Sequence, residues 1–587
     1  MIQRWNRLCR SSAAFAALAA LLTAPGVAAK VANHTANAPV DKVFSDLQKP
    51  GSPGCALGVY RNGQIIYSKG YGLASVELNA PIAPDSVFDI GSTSKQFTAA
   101  SILLLEQQGK LSLNDDVRKY IPELPDYGHK ITILNLLNHT SGLRDYLELL
   151  FFSGVNIDSV TTDEDALALV ARQKNLNFTP GTKFLYSNTG FFLLSLIVKR
   201  VSGMTLEKFA LQNIFQPLAM THTTFRDDHT MLIPHRALAY DPASAGGYKL
   251  NVSYFEQTGD GAVHTSVQDL VKWDENFYSG QVGGKRLPAE MQVQGTLNNG
   301  KKLDYAKALF IGEYRGLRTV RHGGAWGGYR AELLRFPDQH FSVACLCNLS
   351  NANPERRAEK VADAYLGTLM TPAKPEASTG KNANTPAGAT LTSQQMANVV
   401  GMYRNADNGD IARVSSKDGK LEWEIFGRKF GLRALSPTEF LPVKFPLEST
   451  LTFDLNANHS VSDLKVGGDK EIAATYQKVA EFLPSPAEIA AFAGDYYSEE
   501  LGVIYRLKVQ DGKLSLVAIS QPNGIPRTGL PMPNPMRPTV RDEFELSSLG
   551  LRAHFLKDAN HDAIGFDLQE ARAGGVLFLR TDVLQKH

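Results

Sequence analysis

Residues 88–112 read FDIGSTSKQFTAASILLLEQQGKLS, and the first eight of them decide the fold. A strand-like approach ends near Ile90, Ser92 and Lys95 stand three apart, and the apolar run to about Gln108 has the composition of a helix. A serine at such a junction has two readings. Either it caps the helix beside a solvated lysine, or its hydroxyl and backbone N–H face a cleft in which the helix dipole favours developing negative charge, with Lys95 one turn later on the same face. Ser-x-x-Lys alone decides nothing, because Ser462 and Lys465 satisfy it as well, in a region that reads as β.

The 587 residues are too many for one core and divide into several domains. With 43% hydrophobic and 20% charged residues the chain is globular. Residues 1–29 have the pattern of a Sec-type signal peptide: Arg4, Arg7 and Arg10 precede AAFAALAALL, a run too short to span a bilayer, and GVAA supplies a cleavage site after about Ala29. Cys9 precedes the apolar run, which argues against a lipid anchor, and no membrane attachment beyond the signal is expected. Removing three arginines takes the formal charge from +2 to −1, so nothing in the charge points to nucleic acid. The mature chain would be periplasmic or secreted. Cys55, Cys345 and Cys347 remain, all in strand-like runs; buried free thiols are the expected reading, and one cross-strand disulfide the alternative.

From 39 to 372, strands and helices alternate with short loops. GCALGVYRNGQIIYSKGYG reads as a hairpin turning at Asn62-Gly63, HGGAWGGYRAELLRFPDQHFSVACLCNLS as three further strands, and helices lie between them. That arrangement is α+β, an antiparallel sheet with a helical insertion. Residues 373–393 are Pro-, Ala- and Thr-rich and form a linker. Beyond it a pattern repeats: Gly401 matches Gly494 and Gly419 matches Gly512, both offset by 93, which marks two all-β modules, small barrels, at about 394–480 and 484–587. Asp558, Asn560 and Asp562 begin like a calcium loop, but Ala563 and Gln569 stand where Gly and Glu are needed, so a hairpin turn is expected.

Ser92-x-x-Lys95 is followed after 94 residues by Tyr186-x-Asn188, in FLYSNTG, and after 136 more by His322, in RHGGAWGG. In this order the motifs resemble the serine β-lactamase and penicillin-binding protein superfamily, in particular its class C-like branch with D-aminopeptidases, D,D-peptidases and esterases. ITILNLLNHTSGL, PGTKFLYSNTGFFLLSLIVKRVSG and GAVHTSVQDLVKW extend the resemblance over about 300 residues, and the paired β modules, which look lipocalin-like, resemble the two barrels of bacterial D-aminopeptidases. The resemblance implies a β-lactamase-like catalytic domain in which Ser92 is the nucleophile, with Lys95 and Tyr186 sharing the proton transfers. Asn188, His322, Gly324 and Ala325 would contact substrate, and the N–H groups of Ser92 and Ala325 would form the oxyanion hole.

His322 departs from the Lys-Thr-Gly of β-lactamases: Gly323 takes the hydroxyl position, and His-x-Gly is the pattern of the D-aminopeptidase-like members. An imidazole there predicts a pH limb near 6–7. No Gly-x-Ser-x-Gly elbow, zinc-ligand spacing or phosphate loop occurs, so no cofactor or metal is expected. His139, His222, His229 and His264 read as structural or surface residues. The function implied is a secreted serine hydrolase that forms an acyl-enzyme on an amide or ester, above all a D-amino-acid peptide. A carboxylesterase and a silent peptidoglycan-fragment binder are the alternatives. By the same resemblance a barrel loop would limit access to the cleft, and the Pro-rich NGIPRTGLPMPNPMRP, 523–538, is the candidate.

Overall fold

The computed structural model describes residues 38–372 and 389–584, apart from 444, 446–448, 457–459, 468–471, 531 and 547–549. The expected signal peptide and most of the expected linker therefore lie outside the described residues.

The N-terminal domain is built on eight antiparallel strands: β1 (Cys55–Arg61), β2 (Gln64–Tyr71), β3 (Gln294–Thr296), β4 (Lys302–Ala306), β5 (Leu309–Tyr314), β6 (Leu317–Trp326), β7 (Tyr329–Phe336) and β8 (Phe341–Cys347). Their order is β3-β4-β5-β6-β7-β8-β1-β2, so the first strand of the domain pairs with its last. Asn62 and Gly63 take left-handed φ of 51° and 72°, the backbone of the two-residue turn that the Asn-Gly pair predicts. Between β2 and β3 lies the helical layer. Its central member, α1 (Lys95–Gln107), is buried around its whole circumference as far as Leu105, which suits a helix apolar on all faces. Ser92 stands just before it, in a 3₁₀ turn spanning Gly91–Ser94, not in the α-helix as the sequence suggests. Asp145 caps α2 (Tyr146–Phe152), accepting from the N–H groups of Leu147 and Glu148. α3 (Asn188–Ser202) ends at Gly203 in the left-handed conformation that helix C-termini favour.

The cysteines depart from the free-thiol reading. Cys55 and Cys347 are directly opposed on β1 and β8 and form a disulfide, while Cys345 remains a buried thiol. The bridge spans 292 residues and ties the two ends of the domain's sheet together.

The region beyond the linker is two all-β modules. The first is a closed eight-stranded barrel from Gly401 to Val479 with a hydrophobic core of its own. The second runs from Gly494 to Arg580, and among the described residues its sheet is joined end to end through Asn534–Pro538, where Asn534–Pro535 pairs with Ser515–Leu516 and Arg537–Pro538 with Phe544–Glu545. Prolines lack the N–H that a continuous ladder needs, so this strand is broken in the middle. The repeated Asp418-Gly419 and Asp511-Gly512 are hairpin turns with matching φ angles. The calcium-like segment is a hairpin turn too, with the Asn560 and Asp562 N–H groups donating to Asp558 Oδ1. Unlike the first barrel, the second module shares one continuous hydrophobic core with the N-terminal domain, Tyr505 and Phe566 belonging to the same cluster as Phe97 and Phe191.

Replacing Cys55 and Cys347 together by alanine should cost about 2–5 kcal/mol of stability. Denaturant midpoints measured with and without reductant check this: reduced wild-type protein should approach the variant, and a variant matching oxidised wild type would show that the bridge contributes nothing.

Candidate active site

The residues that the sequence spread over 230 positions meet in one place. Close backbone approaches bring the Gly91–Ser94 turn to the sheet. A Cβ on Gly324 would lie 1.9 Å from the Ile90 carbonyl oxygen, and one on Gly91, at φ +49°, would lie 2.7 Å from the Ala325 nitrogen. Only glycines permit this contact. Thr93 Oγ1 donates to the His322 carbonyl at 3.1 Å and completes the seam, which sets Ala325 beside Ser92 on the wall of a cleft of about 1220 Å³.

Lys95 is fully buried, and its Nζ has three neighbours: Ser92 Oγ at 3.1 Å, Asn188 Oδ1 at 2.9 Å and the Asp260 carbonyl oxygen at 2.5 Å. The last two can only accept hydrogen bonds. The Asn188 amide is fixed in orientation because its Nδ2 donates to Asp145 Oδ2, at 3.0 Å, and its backbone N–H donates to the same oxygen at 2.6 Å. A neutral amine has two N–H donors and one lone pair. With both donors committed to carbonyl oxygens, the lone pair is left for the Ser92 hydroxyl. Burial pulls the lysine down to about 8, against the pull of the Asp260 and Asp145 carboxylates, which favour the ammonium; the Arg572 guanidinium adds to the downward shift. Asp260, itself buried and accepting from Tyr146 Oη at 3.2 Å, is pushed up by desolvation.

Tyr186 packs against His139, ring centroids 4.1 Å apart, with Lys95 Nζ 5.0 Å from its ring centre. Its hydroxyl is buried and makes no hydrogen bond of standard geometry. Burial raises its pKa well above the usual tyrosine range, and the nearby Ser92 hydroxyl only partly offsets this, so Tyr186 carries its proton at neutral pH. The phenol thus faces the Ser92 hydroxyl from the wall of the cleft with its proton in place.

His322 behaves differently from the expectation. Its ring is buried and sits at the end of a chain whose donors and acceptors are all determined. The Ser187 N–H donates to His139 Nδ1 (3.1 Å), so His139 Nε2 carries a proton and donates to Tyr305 Oη (3.1 Å). Tyr305 in turn donates to His322 Nε2 (3.2 Å), and His322 Nδ1–H donates to the Gly323 carbonyl (2.6 Å). Both nitrogens are occupied by the protein. Burial, with Lys95 nearby, holds His322 down to about 3 and His139 well below the usual histidine value. With both nitrogens engaged and its value depressed, His322 is not the group expected to give the limb near 6–7, and its ring lines the cleft. His139, read from sequence as structural or surface, is the other histidine of that chain.

Asp145, Asp260 and Tyr305 carry no sequence signal, because none stands at a motif spacing. The sequence expectation also misplaces the segment from the β modules that reaches the cleft. The Pro-rich 523–538 packs near the end of α2, with the Gly529 N–H donating to the Gly154 carbonyl. Arg428 of the first barrel and Arg572 of the second line the cleft instead. The second Ser-x-x-Lys lies in the first barrel, where Lys465 pairs with Asp454.

A family model described as Beta-lactamase matches residues 40–368. Penicillin-binding protein 4* of Bacillus subtilis (strain 168) is 29% identical over 435 residues, covering 70% of this chain and 93% of that protein. The D-aminopeptidase of Gluconobacter oxydans (strain 621H) is 27% identical over 373 residues, covering 63% of this chain and 66% of its own length. Among solved structures, the octameric penicillin-binding protein homologue from Pyrococcus abyssi superposes with a TM-score of 0.52 at 24% identity, over 73% of this chain and 96% of that one, and shares the fold.

Two pH effects follow. A histidine whose folded value is depressed contributes stability that is fully present above its unfolded value, about 6.5, and is lost as pH falls toward the folded value. The melting temperature should therefore decline below about pH 6.5, and His322→Gln, which cannot titrate, should melt lower at neutrality but with a shallower acid decline. Activity should rise with pH through the Lys95 value of about 8, in wild type and in His322→Gln alike. A kcat/KM limb near 6–7 that disappears in His322→Gln would return the titration to the histidine.

Proposed function

This chain belongs to the β-lactamase family, and from that premise and the cleft geometry we propose that it is a serine hydrolase acting through an acyl-enzyme on Ser92. One observation carries the reading: Nζ of the buried Lys95 stands 3.1 Å from Ser92 Oγ and within hydrogen-bond reach of two carbonyl oxygens, so that its neutral form, with both N–H donors on those carbonyls, has its lone pair left for the Ser92 hydroxyl. Ser92 Oγ attacks the carbonyl carbon as its proton passes to Lys95. The Ser92 and Ala325 N–H groups stabilise the oxyanion. When the tetrahedral intermediate collapses, the leaving amine or alkoxide takes a proton from the Tyr186 hydroxyl, which Lys95 restores, and water then releases the acyl group by the same route in reverse.

The substrate class we infer is a D-amino-acid amide or peptide. The likeness to D-aminopeptidases supports it, and so does the strand bearing His322, which offers neither the fixed ammonium nor the hydroxyl that would hold a terminal carboxylate. Secretion is part of the same reading: the signal-like residues 1–29 and the Cys55–Cys347 disulfide both suit an oxidising compartment outside the cytoplasm.

Ser92→Ala should lower turnover by about 10³-fold or more with little change in melting temperature. Intact mass after incubation with D-alanyl amides, D-alanyl-D-alanine peptides and p-nitrophenyl esters checks both class and nucleophile. Turnover of esters alone would favour the carboxylesterase, and an acyl adduct on the alanine variant would remove Ser92 from the mechanism.

A further inference from the structure

Arg572 lies on the turn between the strands Ala563–Gln569 and Val576–Arg580 of the second β module, and this turn holds the catalytic domain by its backbone. The Arg572 carbonyl accepts from the Asp145 N–H at 3.0 Å and from Asn177 Nδ2 at 2.9 Å. The Gly574 and Gly575 carbonyls accept from Arg144 Nε and Nη2 at 2.9 and 2.8 Å. Arg144 Nη1 reaches Glu500 of the same module at 2.6 Å, a salt bridge with both side chains almost fully buried. Removing one partner of such a pair strands a charge in the interior. The turn is thus fixed, and with it the Arg572 side chain, whose guanidinium stands 3.6 Å from Asp145 Oδ2 and pairs with Glu148.

Asp145 Oδ2 is also the oxygen that accepts both N–H groups of Asn188, and Asn188 Oδ1 in turn accepts from Lys95. A continuous path therefore runs from Arg572 through Asp145 and Asn188 to Lys95 and Ser92. We propose that Arg572 is a positioning residue of the active site, so that the second β module completes the catalytic centre by holding and partly neutralising Asp145 behind the Asn188–Lys95 pair. The proposal rests on the serine-hydrolase reading of the cleft.

The alternative is that Arg572 only fastens the module. Charge separates the two. Lys95 is faced by Asp260 and Asp145, which favour the ammonium, by Arg572, which opposes it, and by the neutral Tyr186, His139 and His322. Without the guanidinium, the two carboxylates act on the lysine with no opposing cation from the module. Lys95 then keeps its proton to higher pH, where it cannot accept one from Ser92.

The test uses full-length protein and an alkyl fluorophosphonate, which transfers its phosphonyl group to Ser92 Oγ with loss of fluoride, read by intact mass as a labelling rate across the pH range. Arg572→Met should be labelled about 10- to 100-fold more slowly at neutral pH, with its rising limb displaced to higher pH. Arg572→Lys should return the limb to the wild-type position while recovering only part of the rate. Arg506→Met, at an exposed ion pair with Asp495 in the same module, should label like wild type. A slower Arg572→Met with an unmoved limb, or one that labels at the wild-type rate, overturns the proposal. Wild type that takes no label while the D-alanyl amides are also left intact would instead overturn the hydrolase reading beneath it. If Arg572→Met melts below the assay temperature, Arg572→Gln gives the same two readings.

Discussion

The site depends on a lysine that has been taken out of water. An ammonium cannot accept a proton, and in solvent Lys95 would hold its own through the whole physiological range. The fold makes the neutral form accessible by burying the amine completely, and keeps it useful by placing two carbonyl oxygens where they consume its donors. Burial alone would leave an indifferent amine with no preferred direction. The acceptors alone, in water, would stabilise the cation. Together they give a base whose lone pair has one direction to face, and the carboxylates of Asp145 and Asp260 keep the amine from being driven neutral altogether.

That arrangement constrains the backbone around it. Lys95 is aimed by α1, Asn188 by the first turn of α3, and the Asp260 carbonyl by an irregular segment, so three separate pieces of chain have to converge within hydrogen-bond reach. The sheet must also approach the nucleophile turn closely enough for Ala325 to stand beside Ser92. Gly91 and Gly324 permit it, since any side chain at either position would collide with the main chain opposite. The placement of Ala325 beside Ser92 is thus a packing property of two glycines.

Much of this was legible in the sequence because the relevant signals were local. Asn62-Gly63, Asp418-Gly419 and Asp511-Gly512 fixed hairpins through φ preferences of single residues, and the apolar run after Ser92 marked the central helix. Ser92, Lys95, Tyr186 and Asn188 could be named because the order of their motifs resembles that of a known family, and each lies at or near a helix start. The roles of His322 and His139 could not. Their state is set by a hydrogen-bond chain through Tyr305, and its members lie at positions 139, 187, 305 and 322, brought together only by the folded sheet. The cysteines failed for a similar reason: whether three thiols in strands pair depends on the register of β1 against β8, which composition does not encode.

The two β modules show why a repeat in sequence need not be a repeat in role. Both copies keep the glycines and the hairpin turns, and both fold as all-β units. The first closes on itself and buries its own Trp423, Phe440 and Phe453. The second interrupts its closing strand with Pro535 and Pro538, and places Tyr505 where its hydroxyl donates to the Phe152 carbonyl at the end of α2. A module whose hydrophobic core continues into its neighbour's cannot separate without exposing apolar surface on both sides. Its contact with the catalytic domain also contains the buried Arg144–Glu500 pair, whose separation would strand charges that only water could then satisfy. The first barrel keeps a core of its own and is tied to the second module by ion pairs such as Arg413–Glu545 and Arg404–Glu543. The second is part of the body that holds Asp145, and through Asp145 the lysine, in place.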